Sequence, residues 1–340
     1  MRTSPHTHHP LVYLVAALFG LPGCGGEPDA PAAAPPTPPA APPVEPAPAP
    51  AQPASPSLGV PVTLTFAADE PAQVVSLALA PDGSAVAATG WGKRVVVLPL
   101  DGAPARALHT IGAGDLFEEE AIAWAHGRVA VGTYSSLFLV AEDGSGVVEV
   151  AGRTPAVVAH GEGFARTRGF GAVELVAADG TVGLSAPFDD VRALHATASA
   201  LYALAVEEGD YRIVELDPET LARRRTLPAA NEGFAGADDG RLVVANGAGA
   251  RLFQGAEAEL GPVTAEGFSD DFVAFSLAGP LMAGIGFNRG VALFDLERRA
   301  MIAQAATENG EDIVLDGDRR VLAAGRDGVY VLDIVRPTAP

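Results

Sequence analysis

Residues 319–336 read RRVLAAGRDGVYVLDIVR. Two apolar runs, Val321 to Ala324 and Val329 to Ile334, flank Gly325-Arg326-Asp327-Gly328, and a Gly- and Asp-containing connection between two such runs predicts a β-hairpin. The pattern recurs upstream: Val86-Ala87-Ala88-Thr89 leads to Val95-Val96-Val97-Leu98, Val129-Ala130-Val131-Gly132 to Leu137-Phe138-Leu139-Val140, and Leu242-Val243-Val244-Ala245 to Arg251-Leu252-Phe253. A repeat array follows.

The run after each connection begins near Val95, Leu137, Val173, Ile213, Leu252, Val291 and Val329, a period of about 40 residues, which is that of propeller blades. Short β-type runs punctuated by Gly, Asp and Asn fill the chain from Val60 to Val335, with no long 3.6-residue periodicity. The fold class is therefore all-β, and seven third strands predict a seven-bladed β-propeller. Three strands make up the last unit, while an orphan strand, Val60 to Phe66, precedes the first. Pairing the orphan with the last unit closes the ring and leaves no long sheet edge exposed.

Ahead of the repeats lie two segments that cannot join a core. Arg2, the short apolar run Leu11 to Phe19 and Leu21-Pro22-Gly23-Cys24 have the layout of a signal peptide. The run is too short to span a bilayer, which takes about 20 residues. The LPGC stretch resembles the lipobox of bacterial lipoproteins, although Pro22 departs from the usual small residue, and the resemblance implies that Cys24 is lipidated and becomes the mature N-terminus. Cys24 is the single cysteine of the chain, so no intramolecular disulfide forms; ordinary secretion with a free thiol is the alternative. Residues 24–58 are nearly all Pro and Ala, which favours an extended stalk of polyproline II type. The expected order is thus a signal peptide over 1–23, a lipidated linker over 24–58, the propeller over 59–336 and a tail over 337–340.

Leu79 to Gly90, LAPDGSAVAATG, resembles the Pro-Asp-Gly turn of WD40-like and TolB-type propeller repeats, and the closing VLAAGRDGVYVLDIVRPTAP resembles the LVIVD-type repeat of bacterial surface propellers. The Trp-Asp dipeptide of WD40 blades is missing, because Trp91 precedes Gly92 and Trp124 precedes Ala125. Together with the lipobox, these likenesses imply an exported lipoprotein anchored to the cell envelope, at the outer membrane or cell surface.

A formal charge of −20 argues against nucleic acid, whose backbone is bound by clustered Lys and Arg. In an up-and-down blade, the connections from outer strand to next inner strand share one face with those from second to third strand. Acids mark the first kind, among them Glu119, Asp190, Glu232, Asp270 and Asp312. Aromatic and basic residues mark the second: Trp91, Arg94, Tyr134, Arg168, Phe170, Phe287, Arg289 and Arg326. These residues form the candidate binding face. A ring of carboxylates around a channel mouth would focus negative potential and draw in a cation or basic ligand; the bland reading is that acids keep the loops soluble.

Chemistry beyond binding finds little support. His126, His160 and His195 recur at blade spacing and are expected in turns too far apart to share a metal. Asp238-Asp239-Gly240 and Asp316-Gly317-Asp318 lack the alternating oxygen ligands of a calcium loop. No G-x-S-x-G elbow and no H-E-x-x-H helix occur. Expected, then, is a monomeric, non-enzymatic binding or scaffold module for a protein, peptide or glycan partner, held to the membrane by its lipid alone and needing no cofactor. The rival is a metal-dependent propeller hydrolase, lactonase-like, with a divalent metal in an acidic channel.

Overall fold

Residues 56–65, 73–90, 92–112, 115–228, 233–246, 249–263, 272–286, 290–307 and 310–336 are described by the computed structural model, and they form strands and turns with no helix. Seven antiparallel sheets result, six of four consecutive strands and a seventh that borrows its outer edge from the start of the chain. The first blade runs Val74–Leu79, Ala85–Gly90, Arg94–Pro99 and Arg106–Thr110 from inside out. Third strands at Arg94–Pro99, Ser136–Ala141, Ala172–Ala177, Asp210–Leu216, Gly249–Gln254, Gly290–Asp295 and Gly328–Val335 each contain one of the seven repeat anchors.

The runs that the sequence shows as continuously apolar are the second strands. Ala85–Gly90 is buried along its whole length, because a neighbouring blade covers each face of the sheet. Strand alternation disappears when both faces are packed. The core is accordingly a set of layers between blades: Val86, Ala88 and Val96 meet Leu322, Ala324 and Val329 across one of them. Small residues let blades approach closely. At Gly132 an added Cβ would lie 2.1 Å from the Thr154 carbonyl oxygen.

The opening hairpin is the second and third strands of the last blade, Arg320–Gly325 and Gly328–Val335. Beyond it pair Ser57–Leu58 and Val62–Leu64, with Leu58 opposite Ile334 and Leu64 opposite Val329, so the ring closes as expected. The Gly59 N–H donates to the Asp333 carbonyl at 2.8 Å and continues the ladder towards Pro61, which has no N–H to give. Closure begins at Ser57, ahead of residue 59, and Phe66 lies outside the described residues. Gly328 makes the closure sterically feasible. Its φ is +140°, and a Cβ there would sit 2.2 Å from the Leu64 carbonyl oxygen.

Candidate binding face at the channel mouth

Inner strands of all seven blades surround a narrow central cavity of about 240 Å³, to which Leu77, Ile122, Val157, His195, Phe275 and Asp312 contribute. At the mouth, the two kinds of connection meet as the topology requires. Tyr134 stands between the second and third strands of the second blade, and Arg153 on the connection that enters the third. The Arg153 guanidinium carbon is 4.4 Å from the Tyr134 ring centre and 4.8 Å from that of Phe170, which sits on the second-to-third connection of the third blade. Arg192, on the fourth blade's inner strand Asp190–Ala196, packs 4.7 Å from the same Phe170 ring. A ladder of aromatic and guanidinium groups therefore crosses three blades.

Carboxylates underlie it. Arg153 holds Glu118 through two donors, one at 3.2 Å, and Arg192 holds Asp190 at 2.6 Å. Arg168 approaches Glu174 at 3.6 Å, and the other Glu174 oxygen belongs to Arg166 at 2.8 Å. Arg166, two residues before Arg168 on the second strand of the third blade, is fully buried, where it donates to the carbonyls of Val150 at 3.2 Å and Ala151 at 3.0 Å and ties the second blade to the third. Asp115, on the same rim, accepts from the Thr133 hydroxyl at 2.6 Å.

Other expectations are redirected. Asp312 is not on the rim: its carboxylate is buried in the channel wall and accepts the Leu77 N–H at 2.6 Å and the Ile313 N–H at 2.7 Å. Burial pushes that carboxyl up to about 7, against the pull of the two amides. Arg94 lines a separate groove of about 560 Å³ with Thr63 and Leu64 of the closing strand and Thr65 just after it. Arg326 is exposed at the hairpin tip of the last blade. Glu119 lies on the strand Phe117–Ala125, and Trp91, Glu232, Asp270, Phe287 and Arg289 are outside the described residues.

Of the three histidines, only His126 is in a turn. His160 ends an inner strand with its ring nitrogen 2.7 Å from the Pro218 carbonyl oxygen, and His195 lies within an inner strand, where burial lowers its pKa. The ring of His195 fills the space beside Gly236, where a Cβ would be 2.1 Å away. The turn acids go to arginines: Asp239 to Arg241 at 2.6 Å, and Asp316 to Arg319 at 2.6 Å and Arg320 at 2.9 Å. Among the described residues no group of three or more His, Cys, Asp or Glu side chains is placed to hold a metal ion.

Arg153 and Arg192, the two cations of the ladder, escaped the sequence reading because they sit on or beside connections in which only acids were sought. One signal for the first was available: Arg153 follows its partner Glu118 by 35 residues, close to one blade period.

No family model matches the chain, and neither does any curated protein. Among solved structures, it resembles one described as a streptogramin B lyase structure, with a TM-score of 0.65 over 81% of this chain and 98% of that one, at 14% identity. Some 1447 solved chains show a likeness, as expected of a widespread fold, so the likeness carries architecture and leaves function to the site.

Proposed function

We propose that this chain is an exported, lipid-anchored envelope protein whose propeller is a non-enzymatic binding module, and that the mouth over the second to fourth blades is where its partner docks. One observation carries the reading: Tyr134, Arg153, Phe170 and Arg192 come from four separate points in the sequence and converge into one stacked cluster with Tyr134 half exposed. Aromatic and Arg groups in that setting are the residue types that dominate interaction hot spots. LPGC supports the anchor, with Cys24 as the lipidated residue, and the Pro- and Ala-rich segment supports a stalk that holds the head away from the membrane.

Two measurements test this. Pull-down from solubilised envelope should recover a partner with the wild-type head that a Tyr134→Ala/Phe170→Ala variant recovers poorly; equal recovery removes the mouth from the reading. Replacing Cys24 by Ser should move the protein out of the membrane fraction, and retention there overturns the anchor.

A further inference from the structure

The sequence suggests a ring of carboxylates that would favour a basic ligand, yet the three ion pairs in and beside the aromatic ladder are oriented the other way, unlike Arg212–Asp210 on the fourth blade, where the acid is the exposed member. In the pair Arg153–Glu118 the side chains are 36% and 9% exposed, in Arg168–Glu174 they are 63% and 5%, and in Arg192–Asp190 they are 45% and 24%. In all three the carboxylate is the less exposed member and the guanidinium the outer one. At the ladder the solvent-facing layer of this acidic protein is thus cationic and aromatic above an anionic layer, with the exposed Asp189, Glu208 and Asp210 lying towards the fourth blade.

We propose that the mouth recognises acidic peptide segments, carboxylates spaced by apolar side chains; this rests on the reading of the mouth as the docking face. A guanidinium carries five N–H donors. Glu118 occupies the Nε and Nη2 of Arg153, and Asp190 occupies the Nη2 of Arg192. Donors on both arginines therefore remain on the edges turned away from these carboxylates. Arg168 is the most exposed of the three, and its 3.6 Å approach to Glu174 is longer than a hydrogen bond, so a second carboxylate can approach its outer edge. Stacking on Tyr134 and Phe170 fixes the guanidinium planes, which lowers the ordering cost of binding.

Leu116 and Tyr134 supply the apolar element. They are 54% and 53% exposed and are tied by the Tyr134 N–H donating to the Leu116 carbonyl at 3.1 Å. A cationic ligand seated on the ladder would face three guanidinium edges and reach Glu118, Glu174 and Asp190 only by displacing them. The charge of −20 on the whole chain opposes an acidic partner at long range, but screening limits that field to about 8 Å at physiological salt, whereas these contacts are direct.

The test uses the full-length chain and three fluorescent octapeptides, alternating glutamate, lysine or glutamine with leucine, plus a heparin tetrasaccharide, read by fluorescence anisotropy. The glutamate peptide should bind at least tenfold more tightly than the other two, and Arg168→Gln should reduce its affinity about tenfold. Arg168 is exposed and Arg166 retains Glu174, so this variant should melt as the wild type does; the melting curve checks that. Stronger binding of the lysine peptide, an affinity indifferent to Arg168→Gln, or heparin binding without peptide binding would each overturn the proposal. If no probe binds while envelope pull-down still depends on Tyr134 and Phe170, the acidic specificity fails and the docking face stands.

Discussion

Asp312 of the last blade accepts the backbone N–H of Leu77 of the first at 2.6 Å, across 235 residues of sequence. This contact closes the ring on its inner side, as the strand Val62–Leu64 closes it on the outer side. It is also a buried carboxylate held by two backbone amides, and its ionisation is opposed by burial.

A raised folded pKa makes stability depend on pH in a defined direction. Asp312 titrates near 7 folded and near about 3.9 unfolded, so the folded state binds the proton more tightly. Its contribution to stability is fully present below about pH 4, declines as pH rises to about 7 and is constant above. The Tm of the wild type should fall relative to that of Asp312→Asn between pH 4 and 7, and the two should run parallel above 7. A constant offset across the whole range would contradict this.

Breaking the buried Arg166–Glu174 pair should be costly. Glu174→Ala leaves an interior guanidinium with carbonyl and hydroxyl acceptors alone, and a loss of about 3–5 kcal/mol is expected. The double variant Arg166→Met/Glu174→Leu should lose less than Glu174→Ala. Urea denaturation of both variants gives the comparison.

Gly132 is a steric requirement of blade spacing. Gly132→Ala places a Cβ 2.1 Å from the Thr154 oxygen and 2.7 Å from the Ala121 Cβ, so a loss of about 1–3 kcal/mol is expected. Gly146 has nothing within 4 Å of the same position. Gly146→Ala should therefore be neutral or slightly stabilising, and equal effects at the two sites would refute the packing argument.

The metal-dependent hydrolase makes an opposite demand on the channel. Calorimetric titration with calcium, magnesium and zinc should give no saturable heat at millimolar concentration. A saturable heat that disappears in Glu232→Gln or Asp270→Asn would replace the binding module with the hydrolase reading.

The architecture was legible because a blade repeats its own grammar. Seven anchors located seven third strands, since each follows a turn that needs Gly, Asp or an equivalent and each is covered on both sides. The site was legible only in part. Topology placed Tyr134 and Phe170 on one face, but the direction of an acid depends on its parity along the strand and on partners in another blade. Asp312 turns inward to an amide 235 residues away, and Glu118 turns under an arginine one period later. Neither orientation is written in local sequence. Spacing close to a blade period links other cations to the following blade too, as in Arg106 to the Glu142 carbonyl and Arg241 to the Gly279 carbonyl.

The strand that seals the ring is the first part of the head to be synthesised, and its partner, Gly328–Val335, is the last. Between those moments six sheets can form, but the two flanks of the circle stay unpaired. Every premature stop before Gly328 therefore leaves Ser57–Leu58 and Val62–Leu64 without the strand they pair with. The geometry makes the head a gauge of its own length: only a chain that extends through Gly328–Val335 acquires a closed, continuous perimeter.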